Sequence, residues 1–294
     1  MFLNNVLSLT DTERRFINRF VEDLCKIENI QAIVMGGSHA TGRANKNSDI
    51  DLGIYYREEA PFSIEDIRTV ANKYAKSNKA VVVGFYEWGP WVNGGAWIPT
   101  EVGKVDILYR NINHVETCIH NAQIGIWENH FEQQPPYGFT SMTYLAECSV
   151  CLPLFDPQPI FPRLKELVAT YPQALKKAVI SSSLWSAEFT LAQVDGYQSQ
   201  NDMYNLIGCF TRSLKNITEA LFALNEIYPI GDKNAIQILS KETIVPSGLA
   251  QKVNAILMVS LGNLDVSVKN MKALFTEVVE LTDGLYEAKF EFKK

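Results

Sequence analysis

The sequence predicts an α+β chain, with a small mixed sheet and its helices over residues 1–134 and an α-helical domain over 135–294. Three observations predict it. Short β-branched runs at 30–35 (IQAIVM), 48–56 (SDIDLGIYY) and 104–110 (KVDILYR) read as buried strands. Capped amphipathic segments lie between and before them. From about Leu164 onward only helical periodicity remains, broken at Tyr171-Pro172, at YPIGDK near Pro229 and at VPSG near Pro246.

In chain order, Thr10 with Glu13 makes a capping box ahead of Phe16, Ile17, Phe20, Val21, Leu24 and Ile27, which share one helical face. The first strand ends at Gly36-Gly37, where the backbone must bend sharply. Ser63 and Asp66 start a second helix with Ile64, Ile67, Val70, Ala71 and Tyr74 on its apolar face. AVVVGFYEW (80–88) and KVDILYR read as strands around a Gly-rich loop, and 114–130 reads as helical. A connector at 135–162 holds Pro135, Pro136, Pro153, Pro157, Pro159 and Pro162.

The chemistry concentrates in GSHATGRANKNSDIDLG, residues 37–53. A strand running into glycines presents backbone N–H groups and the Ser38 hydroxyl to an anion such as a nucleotide phosphate, although the same residues also suit an ordinary turn. Asp49 and Asp51 alternate with Ile50, Leu52 and Ile54, which in a strand puts both carboxylates on one face, about 6.5–7 Å apart. Like charges at that separation repel unless a cation lies between them, and carboxylate oxygens suit Mg²⁺. Asp106 stands in the apolar run Val105, Ile107, Leu108, where an ionised carboxylate is costly unless paired, hydrogen-bonded or bound to metal. Three strand-borne aspartates could therefore form one metal site.

GSxxxGxxxxxSDID, with Gly37, Ser38, Gly42, Ser48, Asp49, Ile50 and Asp51 in place, resembles the signature of the nucleotidyltransferase superfamily that includes DNA polymerase β. The pattern is most similar to that of the aminoglycoside and lincosamide nucleotidyltransferases linked to antibiotic resistance, and of uncharacterised relatives. The resemblance implies that Ser38, with Gly37, contacts the nucleotide phosphates, that Asp49 and Asp51 bind Mg²⁺, and that Asp106 completes a triad for two ions. It implies transfer of a nucleoside monophosphate, AMP from ATP or another NTP, to a hydroxyl of a small-molecule acceptor. Protein or RNA modification, and a non-catalytic nucleotide sensor, are the alternatives. Ser48 belongs to the nucleotide-binding pattern, and Arg43, Lys46 and Lys104 could offset triphosphate charge or simply be solvated. Glu87, beside Trp88, Trp91 and Trp97, matches a general base in some relatives; the competing reading is a hairpin whose tryptophans fill core or interface. His39 is read as a lining or turn residue, not a catalytic one. Relatives often share sites across a homodimer, for which these residues offer no argument.

Bulk properties exclude other classes. A net charge of −6 with scattered Lys and Arg argues against a nucleic-acid partner. No apolar run reaches the ~18 residues of a membrane span, and the N-terminus MFLNNVLSLTDTERR lacks a secretory pattern. With a mean hydropathy of −0.06, the chain reads as a cytoplasmic enzyme. Its five cysteines, an odd number with no disulfide framework, fit a reducing compartment. The lone Cys148-x-x-Cys151 reads as buried thiols more readily than as a zinc site.

Overall fold

The computed structural model describes residues 9–76 and 79–292, so the reading of residues 1–8 lies outside the described part. The chain divides into two compact units, Met1–His120 with Glu128–Thr170, and Asn121–Trp127 with Tyr171–Lys294.

The first unit opens with α1 (Asp11–Leu24), whose predicted capping box forms: Glu13 N donates to Thr10 Oγ1, and Thr10 N donates to Glu13 Oε2 at 2.6 Å. A box of this kind contributes about 1 kcal/mol. Then follow β1 (Ala32–Met35), the single-turn α2 (Gly37–Ala40), β2 (Ile50–Tyr56) and α3 (Ile64–Tyr74), which Ser63 caps through Asp66 N. After β3 (Val81–Val82), β4 (Gly95–Thr100) and β5 (Gly103–Asn111) come α4 (Ile112–Gln123), the β6 (Asn129–His130) and β7 (Phe139–Thr140) hairpin, α5 (Met142–Val150), β8 (Leu152–Phe155) and α6 (Ile160–Val168).

Six strands form the sheet in the order β3-β4-β5-β2-β1-β8 among the described residues. Only β2 and β5 run parallel; the other neighbours are antiparallel. Alternation sorts the faces. Ile50, Leu52, Ile54 and Tyr56 of β2, with Val105, Ile107 and Tyr109 of β5, join Phe16, Phe20 and Leu24 of α1 and Ile67 and Ala71 of α3 in one core. Each such large apolar side chain contributes about 1.5–3 kcal/mol by leaving water. On the opposite face Tyr55 meets Phe161 of α6 edge-on at 4.8 Å, and Arg110 forks onto Glu147 of α5 at 2.7 and 2.6 Å. That face is thus closed by helices at the Tyr55–Arg110 end, while Asp51 and Asp106 stand toward the strands' N-terminal end.

Three expectations change. GGAW, predicted as loop, begins β4: the backbone carbonyls of Gly84 and Ile107 come so close that a Cβ on Gly94 or Gly95 would lie 2.1 or 1.9 Å from them. Those glycines permit close packing instead of marking a loop, and 84–92 forms the turn instead of a continued strand. Second, helix α4 stops at Gln123, because Gly125 takes a left-handed conformation (φ +81°). Third, the Pro-rich 135–162 segment supplies β8, with Pro153 opposite Val34 of β1. Proline is tolerated there because β8 is an edge strand. The first unit therefore runs to Thr170, where the sequence reading ended it at 134.

The second unit is helical, as predicted: α7 (Gln173–Leu191), α8 (Val194–Ser199), α9 (Met203–Leu224), α10 (Ala235–Leu239), α11 (Leu249–Leu257) and α12 (Leu264–Leu281). The anticipated breaks at 171–172, 228–233 and 245–248 all separate helices. Helices α7 and α9 pack along their length, burying Val179, Leu184, Leu191, Phe210 and Leu214. Glu188 of α7, fully buried, accepts hydrogen bonds from the Tyr286 hydroxyl and from the N–H groups of Lys289 and Phe290. No described helix is long and apolar enough to cross a membrane.

The Arg110–Glu147 fork makes a direct test of the first unit. Glu147→Leu leaves a guanidinium buried at 3% exposure without its carboxylate and should destabilise the protein by about 3–5 kcal/mol. Adding Arg110→Met should recover most of the loss in urea denaturation.

Candidate functional site

The site is built by the parallel pair β2 and β5. β2 and β5 align with Asp51 directly opposite Asp106, so two carboxylates sit side by side about 4.8 Å apart in backbone spacing. Their neighbours Ile50, Leu52, Val105 and Ile107 turn to the core, which obliges both acids to point to the other face. Asp49 does not share the strand with Asp51 as predicted. β2 starts at Ile50, and Asp49 precedes it with its side chain 47% exposed.

The glycine turn lies against this pair. Gly36 N donates to Asp51 O at 2.9 Å, extending the β1–β2 ladder into the loop. Gly37 adopts φ +58°, and a Cβ there would fall 1.7 Å from Asp51 Oδ2. Only glycine allows this carboxylate to lie on the backbone at that point. Beyond it the loop is stitched locally: Arg43 N donates to Ser38 O, and Asn45 N to Ser48 Oγ, both at 2.9 Å. Ser48 thus stabilises the 45–48 turn, while the Arg43 side chain is exposed. His39 is buried beneath, with a hydrogen bond to the Ser48 backbone. Burial lowers its pKa, against the raising effects of Glu13 and Ser48, so it is a neutral structural ring, in keeping with a turn contact.

Lys104 enters the carboxylate group from β5. Its Nζ lies 2.7 Å from Asp106 Oδ2 and 3.8 Å from Asp49 Oδ2. Burial pulls its pKa down, but the Asp106 hydrogen bond and the charges of Asp106, Asp49 and Asp51 outweigh that and raise it overall. Asp106 and Asp49 thus share one cation, and the charge of Asp51 acts on it as well. Among the described residues no group of three His, Cys, Asp or Glu side chains is arranged as a metal cluster. The donor chemistry suits a hard divalent ion: Asp51 and Asp106, in register, and Asp49, one residue before β2, offer only oxygen ligands.

On the far side of Asp106 stands Trp97, its direct partner on β4 and 46% exposed. Its ring stacks on Trp88 with centroids 4.8 Å apart, and Lys104 Nζ lies 5.8 Å from its centroid. Trp91, by contrast, is buried between His114 and His130. The three tryptophans thus divide between platform and core. Glu87 lies in the intervening turn, with Oε1 accepting from Gly84 N at 2.9 Å. Buried Asn93 pins that turn by donating to Tyr56 Oη and accepting from Tyr86 N. Val83 N donates to Gly95 O, continuing the β3–β4 pairing, so β4 lies between the Glu87 turn and Asp106. Glu87 is therefore set apart from the carboxylates beside Lys104, and its charge is felt by Tyr109.

These positions coincide with a known pattern. Residues 17–93 match the family model of a nucleotidyltransferase domain. The matched stretch includes Gly37, Ser38, Arg43, Ser48, Asp49, Asp51 and Glu87; Asp106 lies beyond it and meets the matched stretch through the β2–β5 pairing. No curated protein matches the chain. Among solved structures, a nucleotidyltransferase-like protein from Exiguobacterium sibiricum is similar at 9% identity and a TM-score of 0.45, over 92% of this chain and 78% of that one.

Cys148 and Cys151 lie at the end of α5, buried and free, with Cys151 Sγ 3.7 Å from the Cys148 carbonyl. Burial holds both thiols protonated, Cys151 pushed up to about 12 and Cys148 well above its ordinary value.

The Gly37 contact is the most exposed to test. Gly37→Ala must displace the Asp51 carboxylate and strain a left-handed residue by about 1–2 kcal/mol. The nucleotidyl transfer proposed below should fall by on the order of 100-fold in this variant, with a thermal unfolding midpoint lowered only modestly.

Proposed function

We propose that the protein transfers a nucleoside monophosphate from a nucleoside triphosphate, ATP first among them, to a hydroxyl of a small acceptor. The observation that carries this reading is Asp51 in register with Asp106, with Gly37 pressed against Asp51. A carboxylate pair held this way on rigid strands is preorganised to hold a divalent cation against the phosphates.

Asp49, Asp51 and Asp106 would hold Mg²⁺, two ions in the full reading. Bound there, Mg²⁺ would neutralise the triphosphate and make the attacking hydroxyl more acidic. Gly37 N–H and the Ser38 hydroxyl face the β- and γ-phosphates in this reading, with Arg43 and Ser48 on the same loop. Order across the sheet supports a direction for the chemistry. The loop after β1 lies on one side of Asp51 and Asp106, and Trp97 lies on the other. In-line displacement needs attacker and leaving group on opposite sides of the phosphorus. The acceptor oxygen therefore comes from the Trp97 side, forms a bond to the α-phosphorus, and pyrophosphate departs toward Gly37 and Ser38. The hydroxyl proton passes to a carboxylate on the acceptor side, for which Glu87 is the candidate base.

The acceptor class proposed is a small, hydroxyl-bearing ring compound, with aminoglycoside- and lincosamide-like molecules first in line. The acidic surroundings of Asp49, Asp51 and Asp106 favour an acceptor with positive charge.

A pyrophosphate-release screen with ATP, GTP, CTP and UTP against such acceptors and a metabolite extract tests the reading. Asp51→Asn should lower Mg²⁺-dependent release by on the order of 10²–10³ with the fold intact by circular dichroism. Retained release in that variant rejects the site. ATP–Mg²⁺ binding without turnover on any acceptor points instead to a nucleotide sensor.

With an acceptor in hand, Trp97→Ala should raise its KM by roughly 2- to 12-fold, the equivalent of about 0.5–1.5 kcal/mol of ring contact, and leave the KM for the triphosphate unchanged. The reverse pattern would put the nucleobase on the tryptophans.

A further inference from the structure

We propose that Lys104 is a tethered cation that occupies the carboxylate group in the absence of nucleotide, and that a divalent ion enters by displacing it. The inference rests on the reading of Asp49, Asp51 and Asp106 as the metal site. Lys104 and Asp106 are two residues apart on β5, so the strand's period of two puts both on the face that carries Asp51. The ammonium sits at 2.7 Å from Asp106 Oδ2, closer than to Asp49 Oδ2 at 3.8 Å, and so already compensates the carboxylate that a divalent ion would bind. A hard cation approaches a carboxylate oxygen to about 2.0–2.1 Å, so a divalent ion on Asp106 would stand within a few ångström of the ammonium. Like charges so close repel strongly where water is partly excluded, and Asp106 has a side-chain exposure of only 21%.

The side chain is built to leave. Lys104 is 43% exposed, and four methylenes give it freedom to swing while the Trp97 face, 5.8 Å from Nζ, guides it on one side. A bound triphosphate offers the displaced ammonium a new anionic partner. Metal and nucleotide thereby bind cooperatively, and the carboxylates stay compensated when both are absent. This gives the lysine a positioning role: it holds the acids together without needing to touch the reacting atoms.

Titration with Mn²⁺, followed by the loss of its free electron paramagnetic resonance signal, tests the exchange without any turnover. In the absence of nucleotide, Lys104→Met should bind Mn²⁺ on the order of 10-fold more tightly than the unaltered protein, and Lys104→Arg should show no gain. Adding Asp106→Asn to Lys104→Met should abolish the gain. Mn²⁺ bound equally by the unaltered protein and Lys104→Met overturns the exchange and leaves the metal site standing. If neither binds Mn²⁺, with or without ATP, the metal-site reading fails and the exchange fails with it.

Discussion

The parallel pairing of β2 with β5 is the constraint on which the first unit depends. A single register places seven residues of each strand in step, from Ile50 beside Val105 to Tyr56 beside Asn111. At one end it aligns Asp51 with Asp106, and along its length it delivers Leu52, Ile54, Ile107 and Tyr109 to the core under α1 and α3. A slip of one residue would exchange the two sets, burying the acids and exposing the aliphatic side chains. The cost of burying two unpaired carboxylates makes that register strongly preferred. Core and candidate site are therefore specified by the same alternation.

Around this pair the chain solves an electrostatic problem by proximity. Asp106 and Asp49 share Lys104, which needs no new element to meet them, because it rides on the strand that carries Asp106. The loop after β1 contributes differently. Gly36 extends the backbone ladder to Asp51, and Gly37 removes the side chain that would otherwise collide with it. His39, neutral and buried, ties the start of the loop to Ser48. The loop is consequently held at both ends before any ligand arrives, which lowers the ordering cost of binding.

Much of this was legible in the sequence. The caps at Thr10 and Ser63, the strands around Ile33, Ile54 and Ile107, and the helical second half are encoded by local pattern, and each forms where the pattern lies. What local pattern could not supply came from tertiary packing. Gly94 and Gly95 read as loop residues because their reason for being glycine is the carbonyls of Gly84 and Ile107, distant or opposed in the fold. With β4 taken for a loop, Trp97 could not be placed beside Asp106. In β8, Pro153 disguised a strand that is tolerated only at an edge. For the site, the aspartates are visible by their costly positions, whereas Lys104 reads equally as a charge for a triphosphate or as a solvated side chain. Its ion pair with Asp106 follows from the two-residue spacing on one strand. The close approach of Gly37 to Asp51, in contrast, depends on how β1 and β2 are joined, which no spacing reveals.

The two outer strands have a consequence for the life of the chain outside its site. β3 is two residues long, and β8 replaces one potential donor with the proline nitrogen of Pro153. An open sheet otherwise offers a row of backbone groups on which another extended chain can grow. Here the template runs out at both margins. During synthesis, or after partial opening, a neighbouring copy meets few consecutive donors to pair with, so the sheet that aligns the aspartates is also poorly suited to seeding aggregates.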